Sequence, residues 1–281
     1  MLKRLVKNFS IIVFVAFLYS CRSLSFYGDV DKPFFYSGKK IIPSEEESDS
    51  LTVVTFNIKK ARKIQMAISE LRELKKKSTV DIYLLQEMDE KGVETIAADL
   101  GLNYLYIPIA YDKSDKKNIG NAILTTGTIE HPEKLILPHA KWQNKQRRAV
   151  IIGEVDIHQR KIIVFSVHTE TVAMSRKMRM DQVDSIVHYA KQESAQYNYV
   201  LIGGDFNTVF PKYARSVVTK FKNNGFDWST SRVGSTAKAM LGVLKPTNDY
   251  LFSRGFTVMN AHVVRSSKSS DHYPVFATLR F

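Results

Sequence analysis

The chain is poor in cysteine, tryptophan and acid. Of its 281 residues one is Cys, two are Trp, and 28 are Asp or Glu against 41 Lys or Arg. A single Cys closes no internal disulfide, so this is not a disulfide-stapled module. Glycine and proline are also modest, at 13 and 8, which excludes a collagen-like or low-complexity chain. With 44% hydrophobic and 25% charged residues, the composition fits one large or two small globular domains rather than a disordered chain. The shortage of acid leaves a formal charge of +13. That excess favours a polyanionic partner, either nucleic acid or an anionic membrane surface.

The amino terminus carries Lys3, Arg4 and Lys7, then an apolar run from Ile11 to Tyr19, then Leu18-Tyr19-Ser20-Cys21. The run falls short of the about 20 apolar residues that span a bilayer. A basic start, a short apolar core and a small residue at the cut are the parts of a secretory signal peptide. The ending resembles the lipobox of bacterial lipoproteins, in which the Cys becomes the lipidated first residue, although Tyr19 is bulkier than that pattern usually has. The expectation is a signal peptide over residues 1–20, lipidation at Cys21, and a protein exported and held to a membrane of a bacterial cell envelope by acyl chains. An ordinary signal peptide beside an incidental Cys is the alternative. Residues 21–50 contain Glu45-Glu46-Glu47 and no sustained period, so they read as the lipidated Cys and a flexible tether.

From Leu51 the texture changes, and residues 51–281 read as one folded domain. Period-2 and buried apolar runs predict strands over 51–58, 80–86, 104–110, 121–126, 149–157, 161–168, 199–204, 248–253, 257–264 and 275–280. Helical spacing predicts helices over 61–77, 93–100, 174–192 and 212–222, the second ended by Gly101. Many strands with a few helices favour a two-sheet sandwich flanked by helices, and the order is too irregular for an eightfold barrel. The polar segments 111–118 and 230–245 read as surface loops near a binding face. Trp142 and Trp228 are isolated and read as core candidates.

The informative pattern is a set of polar groups placed where apolar strands stop. Asn57 closes Thr-Val-Val-Thr-Phe-Asn, Glu87 closes Ile-Tyr-Leu-Leu-Gln-Glu, and His168 closes Ile-Val-Phe-Ser-Val-His. Asp205 and Asn207 follow Val-Leu-Ile-Gly-Gly, Asp249 opens Asp-Tyr-Leu-Phe, and Asp271-His272 precede Tyr-Pro-Val-Phe. An unpaired buried carboxylate is costly, so an acid at a strand end should be exposed, paired or bound to metal. Each motif alone has a plain structural reading: a satisfied histidine, a Gly-Gly-Asp turn, a capping loop. Their joint occurrence suggests one shared site.

Together, Thr-Phe-Asn-Ile (55–58), Leu-Gln-Glu (85–87), Gly-Asn-Ala-Ile-Leu (120–124), Ser-Val-His (166–168), Gly-Gly-Asp-Phe-Asn (203–207), Asn-Asp-Tyr-Leu-Phe (248–252) and Ser-Asp-His-Tyr-Pro-Val (270–275) resemble the endonuclease/exonuclease/phosphatase superfamily. That group holds pancreatic-type deoxyribonucleases, abasic-site endonucleases, inositol polyphosphate phosphatases and bacterial sphingomyelinases. The resemblance implies an α+β fold, a four-layer α/β/β/α sandwich of two mainly antiparallel sheets packed face to face, with the site at one edge. It also implies Glu87 as main metal ligand with Asn57 beside it, and His272 as the group that deprotonates or orients water, with Asp249 holding its ring. Asp205 and Asn207 would position the nucleophile or phosphate, His168 would donate to a phosphate oxygen, and Asp271 would complete the acidic set as a metal ligand, at a second metal. Arg148 and Asn121 are further candidates for phosphate contact. His168 is followed by Thr169-Glu170, where many members have an apolar residue.

Hard oxygen ligands suit Mg²⁺, with Mn²⁺ as the alternative, and there is no zinc-type Cys or His cluster. The expected activity is Mg²⁺-dependent hydrolysis of phosphodiesters outside the cytoplasm, by a monomer that prefers nucleic acid to lipid. A sphingomyelinase-type lipid phosphodiesterase and an inositol or nucleotide phosphatase are the alternatives. A non-enzymatic surface protein fits poorly with seven intact motifs.

Overall fold

A computed structural model describes residues 24–33, 36–38, 47–142, 145–238 and 244–281. The expected signal peptide, Cys21 and part of the expected tether lie outside the described residues.

The predicted runs form two mixed sheets. The first is eight-stranded and contains β1 (Leu24–Phe26), β2 (Tyr36–Gly38), β3 (Ser50–Asn57), β4 (Ile82–Met88), β5 (Asn103–Asp112), β6 (Lys117–Thr125), β13 (Thr257–Val263) and β14 (Val275–Arg280). Its order is β1-β5-β6-β4-β3-β14-β13, with β2 also on β5. The second, in the order β11-β12-β10-β9-β8-β7, contains β7 (Thr128–Ile136), β8 (Ala149–Ile157), β9 (Arg160–His168), β10 (Tyr199–Asp205), β11 (Asp227–Trp228) and β12 (Asp249–Arg254). Among the described residues four α-helices accompany them: α1 (Ile64–Lys77), α2 (Glu90–Leu100), α3 (Arg176–Glu193) and α4 (Pro211–Lys222).

Why the sheets stack is visible in side-chain alternation. Leu51 and Val53 on β3, Ile82 and Leu84 on β4, Val164 on β9 and Leu201 on β10 meet in a core between the two sheets. The intervening residues Val54, Phe56, Tyr83 and Leu85 point the other way, onto Ile68 and Leu71 of α1 and Val93 and Ile96 of α2. Phe165, Ile202 and Phe252 likewise point away from the central core, onto Val183 and Ile186 of α3 and Val217 and Phe221 of α4. Three cores separate four layers, so the α/β/β/α sandwich is observed. Because both faces of the central strands are buried, burial of each large side chain stabilises by about 1.5–3 kcal/mol.

Local chemistry sets the helix ends. Asp89 caps α2 by accepting from Gly92 N at 2.7 Å, and Gly101 ends it in the left-handed region at φ 64, as expected for a terminal glycine. Ser175 caps α3 through Met178 N at 3.3 Å.

Three expectations need correction. Residues 24–26, read as tether, pair antiparallel with β5, Leu24 opposite Asp112 and Phe26 opposite Ala110. Residues 36–38 pair on the same strand. The segment 111–118 is not a loop, since β5 runs to Asp112 and β6 begins at Lys117, leaving a short hairpin turn. β7 escapes the apolar pattern because it is an edge strand, with Glu130 through Glu133 exposed around Pro132 and a register shift there. Of the two tryptophans, Trp228 packs against the α3/α4 core, whereas Trp142 is 74% exposed and is no core residue.

Each sheet contains one parallel pair, β3 with β4 and β9 with β10. The candidate site lies where these two pairs end.

Candidate active site

On the first sheet, Asn57 pairs with Gln86 at the ends of β3 and β4. Regular alternation would send the next residue of β4 to the opposite face. Instead the β4–β6 register slips between Leu85 and Met88, and Glu87 takes a positive φ of 55. An extra residue in one strand re-aims its side chain, and here it turns the Glu87 carboxylate into the cleft. Gln86 stays in the core, donating to Leu84 O at 3.0 Å.

The chain leaving β3 is strained. Lys59, Lys60 and Ala61 all have positive φ (47, 57 and 51), a conformation that costs an L-residue about 1–2 kcal/mol. Three contacts hold it. Lys59 N donates to Asn57 Oδ1 at 2.9 Å, Lys117 Nζ donates to the Lys60 carbonyl at 2.7 Å, and Lys60 Nζ pairs with buried Asp112 at 2.7 Å. The result is a basic wall beside the carboxylates.

On the second sheet, Asp205 pairs with His168 across β9 and with Asp249 across β12, so three ionisable groups lie in one row. The strands come this close because Gly204, at φ 148, has no Cβ to collide with the Val167 backbone. Asp205 is buried and accepts from Asn207 N at 2.8 Å and Asn57 Nδ2 at 3.1 Å. Asn207, at φ 49, is fixed by its own donation to Thr169 O at 2.9 Å.

His168 Nε2 lies 3.7 Å from Asp205 Oδ2 and 3.9 Å from Glu87 Oε1. Its Nδ1 faces Arg148 Nη1 at 3.3 Å. Arg148 and Lys141 both pair with fully buried Glu170, at 3.4 and 3.0 Å. Burial, and then the Arg148 charge, hold the His168 pKa well below the usual imidazole value. This ring is neutral.

His272 is placed oppositely. Its Nδ1 lies 3.0 and 2.9 Å from the two oxygens of Asp249, and its Nε2 lies 3.7 Å from Asp205 Oδ2. Burial opposes the charged ring, but the carboxylates of Asp249 and Asp205 outweigh it and push the pKa up to about 10. Burial also raises Asp205. Two flanking carboxylates favour the protonated form of this imidazole. Asp249 is itself held by Thr236, whose Oγ1 donates to Oδ2 at 2.7 Å while accepting from Asn248 N and Asp249 N. Sequence reading missed Thr236, because the only signal was its place in the polar 230–245 segment.

One slot of about 260 Å³ is lined by Asn57, Glu87, His168, Asp205, Asn207, Asp271 and His272, with Lys59, Lys60 and Arg62 on its wall. Asp249 stands directly behind His272. Two expected phosphate contacts are elsewhere. Arg148 backs His168 as described, and Asn121 is buried, its amide donating to Ala149 O and Ser166 O. Asp271 reaches the slot, but its carboxylate pairs with Lys59 at 2.8 Å, so it adds no free charge to the acidic set.

The slot's chemistry fits a divalent cation. Among the described residues Glu87 has no Lys or Arg partner, and its nearest donor is the Asn57 amide at 3.5 Å. Asp205, Asp249 and His272 have potential ligand atoms within 4.8 Å of one another. The carboxylate oxygens among them are hard donors, which suit Mg²⁺ or Mn²⁺ rather than a soft metal.

Residues 54–272 match the model of the endonuclease/exonuclease/phosphatase family, and the chain belongs to that family. It is similar in structure to an endonuclease/exonuclease/phosphatase from Bacteroides vulgatus, at TM-score 0.67 and 13% identity over 83% of this chain and 100% of that one. It is also similar to D. rerio TDP2 complexed with single-strand DNA product, at TM-score 0.63 and 14% identity over 83% of this chain and 100% of that one. A mannosyl-6-phosphatase from Bacteroides thetaiotaomicron aligns at TM-score 0.63 and 19% identity over 82% of this chain and 100% of that one. Among curated proteins none matches by sequence. Family and fold together define a phosphoesterase-type hydrolase.

Proposed function

We propose that this hydrolase is a Mg²⁺-dependent phosphodiesterase of nuclease type. The observation that carries the reading is the convergence, in one slot, of a carboxylate without a cationic partner, Glu87, with the His272–Asp249 pair facing Asp205. Glu87 would hold the cation, which when bound supplies charge neutralisation at the phosphate, and Asn57, whose amide nitrogen faces Glu87 and Asp205 while its oxygen accepts from Lys59 N, would orient that carboxylate. His168, held neutral, donates a hydrogen bond from Nε2–H to a non-bridging phosphate oxygen. Asp205 takes a proton from the attacking water as the new P–O bond forms, and His272, protonated at rest, gives its proton to the departing oxygen as the ester P–O bond breaks. Asn207 fixes Asp205, and Asp249 with Thr236 fixes His272.

The likeness to a TDP2 bound to a DNA product supports the nuclease reading, and Arg62 on the slot wall, which has no ion pair among the described residues, favours nucleic acid over a zwitterionic lipid headgroup. The likeness to a mannosyl-6-phosphatase supports the alternative of a phosphomonoesterase. The test is to incubate the protein, with Mg²⁺ or with EDTA, against plasmid DNA, RNA, sphingomyelin liposomes and inositol phosphates. Mg²⁺-dependent cleavage of nucleic acid is expected, and cleavage of lipid alone would overturn the reading.

We also propose that the protein acts outside the cytoplasm as a monomer anchored through Cys21, a reading supported by Leu18-Tyr19-Ser20-Cys21. Labelled palmitate incorporated by the parent chain, and lost in Cys21→Ala, checks the anchor. Light scattering checks the monomer.

A further inference from the structure

We propose that the wider cavity beside the catalytic slot is a second anion subsite, which holds a phosphate flanking the one being hydrolysed. The inference rests on the hydrolase reading above and narrows its substrate to compounds with at least two phosphate groups. The cavity, of about 750 Å³, opens directly from the slot and shares Asn207, Asp271 and His272 with it. Lys59, Arg62, Lys63, Lys238 and Lys268 line it, and Asp271 is its one carboxylate. Asp271 is already neutralised by Lys59. The remaining four cations face no acid among the described residues there.

The charge is held in place by structure. Lys238 sits 4.7 Å over the Tyr273 ring, and its backbone N donates to Asp271 O at 2.8 Å, so it is tied to the catalytic Asp-His segment. Lys63 Nζ donates to the Lys268 carbonyl at 3.2 Å. Among the described residues, the side chains of Arg62 and Lys268 make no hydrogen bond or ion pair, which leaves both for a ligand.

A second feature works independently of those side chains. Helix α1 starts at the cavity, with Lys63 as its cap residue. It has no side-chain cap and no acid in its first turn. A helix start of this kind leaves backbone N–H groups and the positive dipole end open to an anion. Glu70, the acid one turn further on, is fully used: it accepts from Ser267 Oγ at 2.7 Å, Lys268 N at 2.6 Å, Ser269 N at 3.2 Å and Ser269 Oγ at 2.5 Å. That carboxylate holds up the loop that presents Lys268 instead of quenching it.

The occupant is therefore an anion, and Val172 and Val209, which also line the cavity, would accept the sugar or ring that links the two phosphates. A quaternary ammonium headgroup would meet four like charges and is disfavoured. Two sources share the required chemistry, a polynucleotide with a neighbouring chain phosphate and a ring carrying more than one phosphate.

The test compares the full chain with the Lys238→Gln/Lys268→Gln double variant, whose altered side chains line the cavity but not the slot. Three substrates are used with Mg²⁺: bis(4-nitrophenyl) phosphate with one phosphate, a trinucleotide, and inositol 1,4-bisphosphate. Loss of two charge-assisted contacts should raise KM for a multi-phosphate substrate about tenfold or more, with kcat and the one-phosphate activity kept. A larger rise for the trinucleotide assigns the subsite to a chain phosphate, and a larger rise for the inositol compound assigns it to a ring phosphate. Equal changes on all three substrates, or none, would overturn the proposal. If the parent protein hydrolyses none of them, the hydrolase reading fails, and the subsite is then judged by calorimetric binding of inorganic pyrophosphate. Binding weakened about tenfold in the double variant supports it, and unchanged binding overturns it.

Discussion

Arg148 stands behind His168 with its Nη1 3.3 Å from the ring Nδ1. A guanidinium has only donors, so Nδ1 must accept and the ring proton must sit on Nε2, the nitrogen that faces Glu87 and Asp205. Glu170, buried and paired with Arg148 and Lys141, keeps the guanidinium in register. Arg148 is thus a positioning residue. In Arg148→Met the tautomer loses its determinant, and kcat/KM should fall about 10- to 100-fold with the fold retained. Nitrogen-15 NMR of the imidazoles provides the check: the parent should show a single Nε2–H form for His168, and the variant a mixture.

Asp249→Asn removes the nearer of the two carboxylates that raise His272. A raised pKa means that the proton is retained until the pH passes the raised value, so removing the cause lets it leave earlier. The alkaline limb of the pH–rate profile should move toward neutral, with kcat reduced about 10²- to 10⁴-fold. An unmoved alkaline limb would show that another group sets it.

Glu87→Gln tests the cation site without requiring turnover. Mg²⁺ at a hundredfold excess over Kd should stabilise the parent protein by about 2.7 kcal/mol, read as a rise in Tm. The variant should show no such rise, while its circular dichroism stays unchanged.

The buried Asp112–Lys60 pair ties stability to acid. Burial opposes the Asp112 charge, but the hydrogen bonds and charge of Lys60 and the Ser114 hydroxyl prevail and hold its carboxyl well below the usual range. A lowered folded-state pKa stabilises above the ordinary Asp value of about 3.9, and this contribution is lost as pH falls below it. Asp112→Asn should cost about 1–3 kcal/mol at neutral pH, with the difference from the parent narrowing below about pH 4, as followed by urea unfolding.

Much of the sandwich was legible because its central strands alternate perfectly: Leu51, Val53, Ile82 and Leu84 inward, Val54, Phe56, Tyr83 and Leu85 outward. β7 was not, since an edge strand with Glu130, His131 and Glu133 in solvent carries no apolar period. The polar residues at strand ends did converge, because the two parallel pairs end together. Roles were harder to read than membership. Nothing in Arg147-Arg148-Ala149 tells a phosphate contact from a residue backing a histidine, which depends on Glu170 arriving just past the end of β9. Nor does Asp-His reveal that Asp205 approaches the imidazole from the other side.

The pairing of Leu24 with Asp112 also fixes where the chain enters the domain. Asp112 grips Lys60, and Lys60 forms part of the slot wall. The entry point is therefore on the lip of the cleft, not on its far side. Anything fastened upstream of Leu24 would grip the molecule beside its own mouth, with only residues 22 and 23 between Cys21 and the first strand. An anchor there would hold the opening near the surface that bears it.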